Sequence, residues 1–176
     1  MREVGIHQRS WHSSPLTYIS YSILSWGSVY KIHIKKIQVK QNHTVRLIFL
    51  ARTFGRETES AKPLLNLLDI LTVDNIYRLE ILKFSHSWHN GLLPKVFDSI
   101  FQYARNIHGY NTRYTAKQNF YKYKVKTNTG KQSVSSMAID IWKDLPSSLK
   151  DLSVFAFPKY IKRYLLSEQK RNQFST

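Results

Sequence analysis

A chain of 176 residues with 27 Lys and Arg against 11 Asp and Glu carries a formal net charge of +16. Its 42% hydrophobic content separates it from a disordered basic tail, which lacks the apolar area to offset the entropy of ordering. With no cysteine it can form no disulfide, no cysteine-ligated zinc site and no thiol nucleophile, and this points to a reducing compartment, the nucleus or the cytoplasm.

The acids are placed so unevenly that the stretches between Glu3 and Glu57 and between Asp98 and Asp140 contain none. Positive charge gathered in blocks makes a field that a polyanion complements, and nucleic acid is the commonest polyanion. Residues 1–15 match no pattern, show no apolar secretory core and are expected to be disordered. The uncharged stretch 13–30 is interrupted by Ser, Thr, Pro and Gly, so it is too short and too polar to span a bilayer and reads as a buried segment.

From Lys31 to Thr53 the spacing predicts an amphipathic helix. Ile34, Ile37, Gln41, Val45 and Ile48 recur every three or four residues on one face, and Lys35, Lys36, Lys40, His43 and Arg46 cover the other. No acidic residue lies within reach to form i,i+4 pairs, so this face repels itself unless an anion lies against it. The competing reading is a solvated lysine face on an ordinary core helix.

Gly55 and the polar run to Lys62 predict a loop, and Pro63 suits the first turn of a short apolar helix. Thr72 can cap the next helix, with Asp74 in its first turn, and Val73, Ile76, Tyr77, Ile81, Phe84 and Trp88 mark its inner face as far as Asn90-Gly91. Pro94 opens a further short helix with Val96, Phe97, Ile100, Phe101 and Ala104. Residues 107–115 read as a turn-rich loop.

Over residues 120–126 the period changes to two. Tyr121, Tyr123 and Val125 alternate with Lys122, Lys124 and Lys126, which predicts a strand with an inward aromatic face and an outward basic one, and Asn128-Thr129-Gly130 would turn it. A helix is expected from Ser133 to Lys143. Ser153 can cap a last one, with Phe157, Ile161, Tyr164 and Leu165 inward and Lys159, Lys162 and Arg163 outward. The fold class expected is mainly α: a helical lobe over 16–105, a smaller α+β lobe with a short basic and aromatic strand or hairpin over 106–168, and a frayed tail over 169–176.

Self-sufficient catalysis is not expected. Two-metal nucleotidyl transfer needs clustered carboxylates, whereas here no two Asp are adjacent, and Glu57 and Glu59 sit in a polar loop. No glycine belongs to a GxxxxGK phosphate loop. His86 and His89 have a spacing that could hold a metal, yet no third ligand accompanies them and they read as packing or surface residues. No catalytic residue, metal or cofactor is therefore assigned.

Cations interleaved with rings suit single-stranded or hybrid nucleic acid, the cations meeting phosphates and the rings stacking on bases. Tyr110, Arg113 and Tyr114 followed by 121–126 have that composition. The candidate contacts are Lys35, Lys36, Lys40, Arg46, Arg113, Lys122, Lys124 and Lys126. A competing class is a cellular interaction module that binds protein or an acidic membrane surface through the same helix.

Seven landmarks occur in a recognisable order: SYSILSWGS (20–28), IKKIQVKQNHTVRLI (34–48), KPLLNLLDILTVDNIYRL (62–79), LLPKVF (92–97), YNTRYT (110–115), SVSSMAIDIWKDLPSSLK (133–150) and FPKYIKRYLL (157–166). Over about residues 16–167 this order resembles the C-terminal end of reverse transcriptases from jockey-like non-LTR retrotransposons. The resemblance implies a region corresponding to the thumb and what lies beyond it, with the helix over 31–53 lying along an RNA/DNA template-primer. The parent activity it implies is an RNA-directed DNA polymerase that copies element RNA into DNA at a nicked target. The catalytic Tyr-x-Asp-Asp pattern of the palm would lie upstream of residue 1, so the chain is expected to be inactive alone; a further alternative is that it does not fold alone and that 13–30 packs on a palm domain. The sequence departs from the family pattern at Ala138 and Ile139, where Gly-Pro is frequent, and at Lys143, where Asn usually follows Trp142.

Overall fold

A computed structural model describes residues 19–20, 22–28, 31–53, 60–107 and 112–173. The expectations for residues 1–15, for Tyr110 and for the core of the 55–62 loop lie outside them. In chain order the helices are α1 (Ile23–Trp26), α2 (Lys31–Thr53), α3 (Ala61–Leu67), α4 (Val73–His89), a 3-10 turn (Lys95–Ser99), α5 (Ala104–Ile107), α6 (Arg113–Ala116), α7 (Asn128–Lys131), α8 (Val134–Asp144), α9 (Ser147–Lys150) and α10 (Phe157–Gln173).

Local signals explain where the main helices start. The Thr72 side chain accepts a hydrogen bond from the Asn75 amide at the start of α4, and Asp74 lies in the first turn, where the helix dipole favours an anion. Ser133 does the same for the Ser136 amide at the start of α8. α4 is the central axis. Its buried Ile76, Tyr77, Ile81 and Leu82 meet Ala138, Ile139 and Trp142 of α8, and Phe157, Ile161, Leu165 and Leu166 of α10. This buried cluster draws residues from both sides of residue 105, so both expected lobes share it. A smaller cluster joins Val45 of α2 to Leu64 and Leu65 of α3.

α1 closes on α4 through a glycine. A Cβ at Gly27 would sit 2.4 Å from Cδ2 of Tyr77 and 2.5 Å from the Ile23 carbonyl oxygen, closer than any side chain can approach. The segment after Pro94 is a 3-10 turn rather than an α-helix reaching Ala104, and Val96 on it is exposed.

Two expectations are corrected. Among the described residues there is no strand and no hairpin. Phe120 makes one antiparallel bridge with Tyr103, in which the Ala104 amide donates to the Asn119 carbonyl (3.0 Å) and the Tyr121 amide to the Gln102 carbonyl (2.7 Å). The pairing stops there because the opposite chain enters α5 at Ala104 and offers no further strand edge. Residues 128–131, expected as a hairpin turn, form the short α7, capped by the Thr127 side chain.

The second correction concerns the tail. α10 continues to Gln173 instead of fraying after Glu168. Gln169 is buried, accepts from the Thr72 amide (3.0 Å) and from Nδ2 of Asn75 (3.0 Å), and donates to Oδ1 of Asn66 (2.8 Å) and the Ile70 carbonyl (3.1 Å). Lys170 adds an ion pair to Asp69. A polar side chain can be buried when every polar atom it brings finds a partner, and Gln169 meets that condition across the α3-α4 connection.

Candidate nucleic-acid interface

The inner face of α2 determines what its outer face presents. Ile34, Gln41 and Val45 are buried, and two glutamines lock the helix onto the start of α4. Nε2 of Gln41 donates to the Leu71 carbonyl (2.8 Å), and Oε1 of Gln38 accepts from the Val73 amide (2.8 Å). Gln38 also donates to Gln41 and Asn42, so its amide is held from both ends. With these residues turned in, Lys35, Lys36, Lys40 and His43 are exposed on the other side. None of the three lysines forms an ion pair among the described residues.

Arg46 departs from this arrangement. It is half-buried, with Nε shielded from solvent and without a hydrogen-bond partner among the described residues, so it flanks the packed face instead of standing with the three lysines. Val39 and Leu47 share the outer face at 65% and 54% exposure, which places apolar surface among the cations.

The second basic group lies around α6 and the segment behind it. Arg113 is exposed on α6, whose first turn is closed by a reciprocal cap between Thr112 and Thr115. Lys122, Lys124 and Lys126 are all exposed. Lys122 is ion-paired with Asp140 of α8, and Lys124 and Lys126 have no such partner among the described residues. Tyr123, expected to face inward, is 41% exposed, and the half-buried Tyr121 packs against it edge to face with ring centroids 4.9 Å apart.

This segment is held firmly at its start. Phe120 is buried and stacks on Trp142 (centroids 5.0 Å, planes 12° apart), and the Tyr114 hydroxyl donates to the Phe120 carbonyl (2.7 Å). The preceding turn is tied down from below. Nε1 of Trp142 donates to the Gln118 carbonyl (3.1 Å), while Nζ of Lys150 donates to the Lys117 carbonyl (3.2 Å) and to Oδ1 of Asn119 (2.9 Å). Lys150 is only 2% exposed, and its Nζ lies 5.4 Å from the centre of the Trp142 ring. Burial lowers its pKa from 10.5 to about 8, with the Lys117 charge pushing the same way and Asp151 opposing. No spacing rule singled out Lys150, Gln38 or Gln169, because each is held by partners distant in sequence.

The two basic groups are anchored toward opposite ends of α4. α2 is fastened to Val73 at the first residue of α4, and Phe120 packs against Trp88 near its end. At 1.5 Å of rise per residue, these two points lie about 22 Å apart along the α4 axis.

His86 and His89 take packing roles. His86 stacks flat on Phe157 (3.8 Å, 9°) and donates from Nε2 to the Leu152 carbonyl (2.9 Å), and Nδ1 of His89 lies 2.6 Å from the Tyr103 hydroxyl. Burial lowers both pKa values, and His86 lowers that of His89 further. Among the described residues no group of three His, Cys, Asp or Glu could hold a metal ion, and no helix is long and apolar enough to cross a membrane. No family model, curated protein or solved structure matches this chain.

Proposed function

We propose that this chain is a nucleic-acid-binding C-terminal portion of a retrotransposon RNA-directed DNA polymerase of the jockey-like non-LTR class, gripping template-primer without performing chemistry itself. The order of the landmarks supports the family, and the charge supports the role. One observation carries the binding: Lys35, Lys36 and Lys40 stand exposed, without ion pairs among the described residues, on a helix that has no acidic residue. Each of them can neutralise a backbone phosphate and release its counterion.

If the three lysines meet three phosphates, they contribute about −2.7 to the slope of log affinity against log salt on a duplex. Titration of a labelled primer-template hybrid by fluorescence anisotropy at several salt concentrations measures this. Binding is expected to weaken steadily with salt, and charge reversal of the three lysines should weaken it alike for every sequence. Binding that is absent at low salt, or indifferent to salt, overturns the proposal.

Val39 and Leu47 on the same face favour a second reading, in which α2 docks on a protein or an acidic membrane surface. Anionic vesicles that compete the hybrid away at equal salt would favour it.

A further inference from the structure

We propose that residues 121–126 form a separate site for single-stranded nucleic acid, in which the Tyr123 ring stacks on an unpaired base and Lys124 and Lys126 meet the adjoining phosphates. This rests on the nucleic-acid reading above and adds to it which form is bound, and where.

The site is built in advance. Phe120 anchors one end under Trp142, and at the other end Val125 lies against Gly130, where an added Cβ would come within 2.4 Å of Cγ1 of Val125. Between these anchors the chain joins no strand ladder, and Lys122, Tyr123 and Lys124 all stand exposed. Tyr121, packed edge to face at 89°, braces the Tyr123 ring and reduces the ordering a ligand would have to impose.

The chemistry selects an unpaired base. Inside a duplex the faces of each base are covered by its neighbours, so an exposed ring on a fixed segment can stack only where a strand is open. The cations select a nucleic acid over a peptide strand, because an edge whose exposed positions alternate with lysine resists strand addition. Asp140 already occupies Lys122 as an internal anion that a phosphate can displace. It therefore competes with the ligand, and removing its charge should favour binding.

Anisotropy titration of the full chain tests this with a labelled pyrimidine strand of about 12 nucleotides and a blunt duplex of the same length, at one low salt concentration. Tyr123→Ala should weaken the single strand about tenfold and leave the duplex unchanged, Tyr123→Phe should bind as the parent does, and Asp140→Asn should tighten the single strand. Glutamine at Lys35, Lys36 and Lys40 should weaken the duplex while the effect of Tyr123→Ala on the single strand persists. Equal single-strand binding by the parent and Tyr123→Ala, with the duplex still bound, overturns this site and leaves the nucleic-acid reading intact. An equal loss on both ligands overturns it as well. A parent chain that binds neither ligand overturns both proposals.

Discussion

Replacing Lys150 by methionine removes a buried ammonium group and keeps most of the aliphatic volume. In the parent, Nζ holds the Lys117 carbonyl and the Asn119 side chain, and no carboxylate lies within ion-pair distance among the described residues. The folded pKa of about 8 is below the ordinary 10.5, so between those values the unfolded chain keeps a proton that the folded chain has released. Stability therefore rises with pH across that window, and the cost of the buried charge is fully present below the folded pKa. The whole difference corresponds to about 3 kcal/mol, of which about 2 kcal/mol is recovered between about pH 7 and pH 9.5.

The methionine variant escapes this cost but leaves two acceptors without their donor, at about 1–3 kcal/mol each. The two effects oppose each other at neutral pH, so the stability difference at one pH decides little, and its slope with pH decides the matter. Urea unfolding followed by tryptophan fluorescence, on both proteins at intervals from about pH 7 to pH 9.5, gives that slope. The parent should gain about 2 kcal/mol on the variant over the interval. A difference that stays flat would refute the buried, charge-poor setting of Lys150.

Three further outcomes follow from packing and burial. Because burial holds the His86 and His89 imidazoles below their ordinary pKa, the folded chain takes up fewer protons than the unfolded one as pH falls through about 6.5. The urea midpoint should then drop between about pH 7 and pH 5, and His86→Leu should reduce that drop; an unchanged pH dependence would refute the assignment. Gly27→Ala keeps an allowed φ of −68° but forces a methyl into the Tyr77 ring and against the Ile23 carbonyl oxygen, so a loss of about 1–3 kcal/mol is expected in urea unfolding. Gln169→Ala strips partners from Thr72, Asn75, Asn66 and Ile70 and should cost about 2 kcal/mol, with faster hydrogen exchange at the Thr72 amide. A neutral Gln169→Ala would mean that the end of α10 frays after all.

What was legible in the sequence was local or periodic. The stripe of Ile34, Gln41 and Val45 placed Lys35, Lys36 and Lys40 outside correctly, since on a helix the buried face determines the opposite one. The caps at Thr72 and Ser133 were readable because a cap needs only its own next three residues. Period two over 120–126 carried less information than it suggested. It marks a half-buried segment, but whether a neighbouring strand exists is decided by where α5 begins, and without a ladder Tyr123 was free to face solvent. Lys150 and Lys124 show the limit most plainly, because nothing in either one's neighbourhood in the sequence separates a buried lysine from an exposed one. Lys150 is buried because a carbonyl at Lys117 and an amide oxygen at Asn119, 33 and 31 residues away, await its Nζ above an indole ring. Lys124 has no such partners among the described residues and stands exposed at the surface, where a phosphate can reach it.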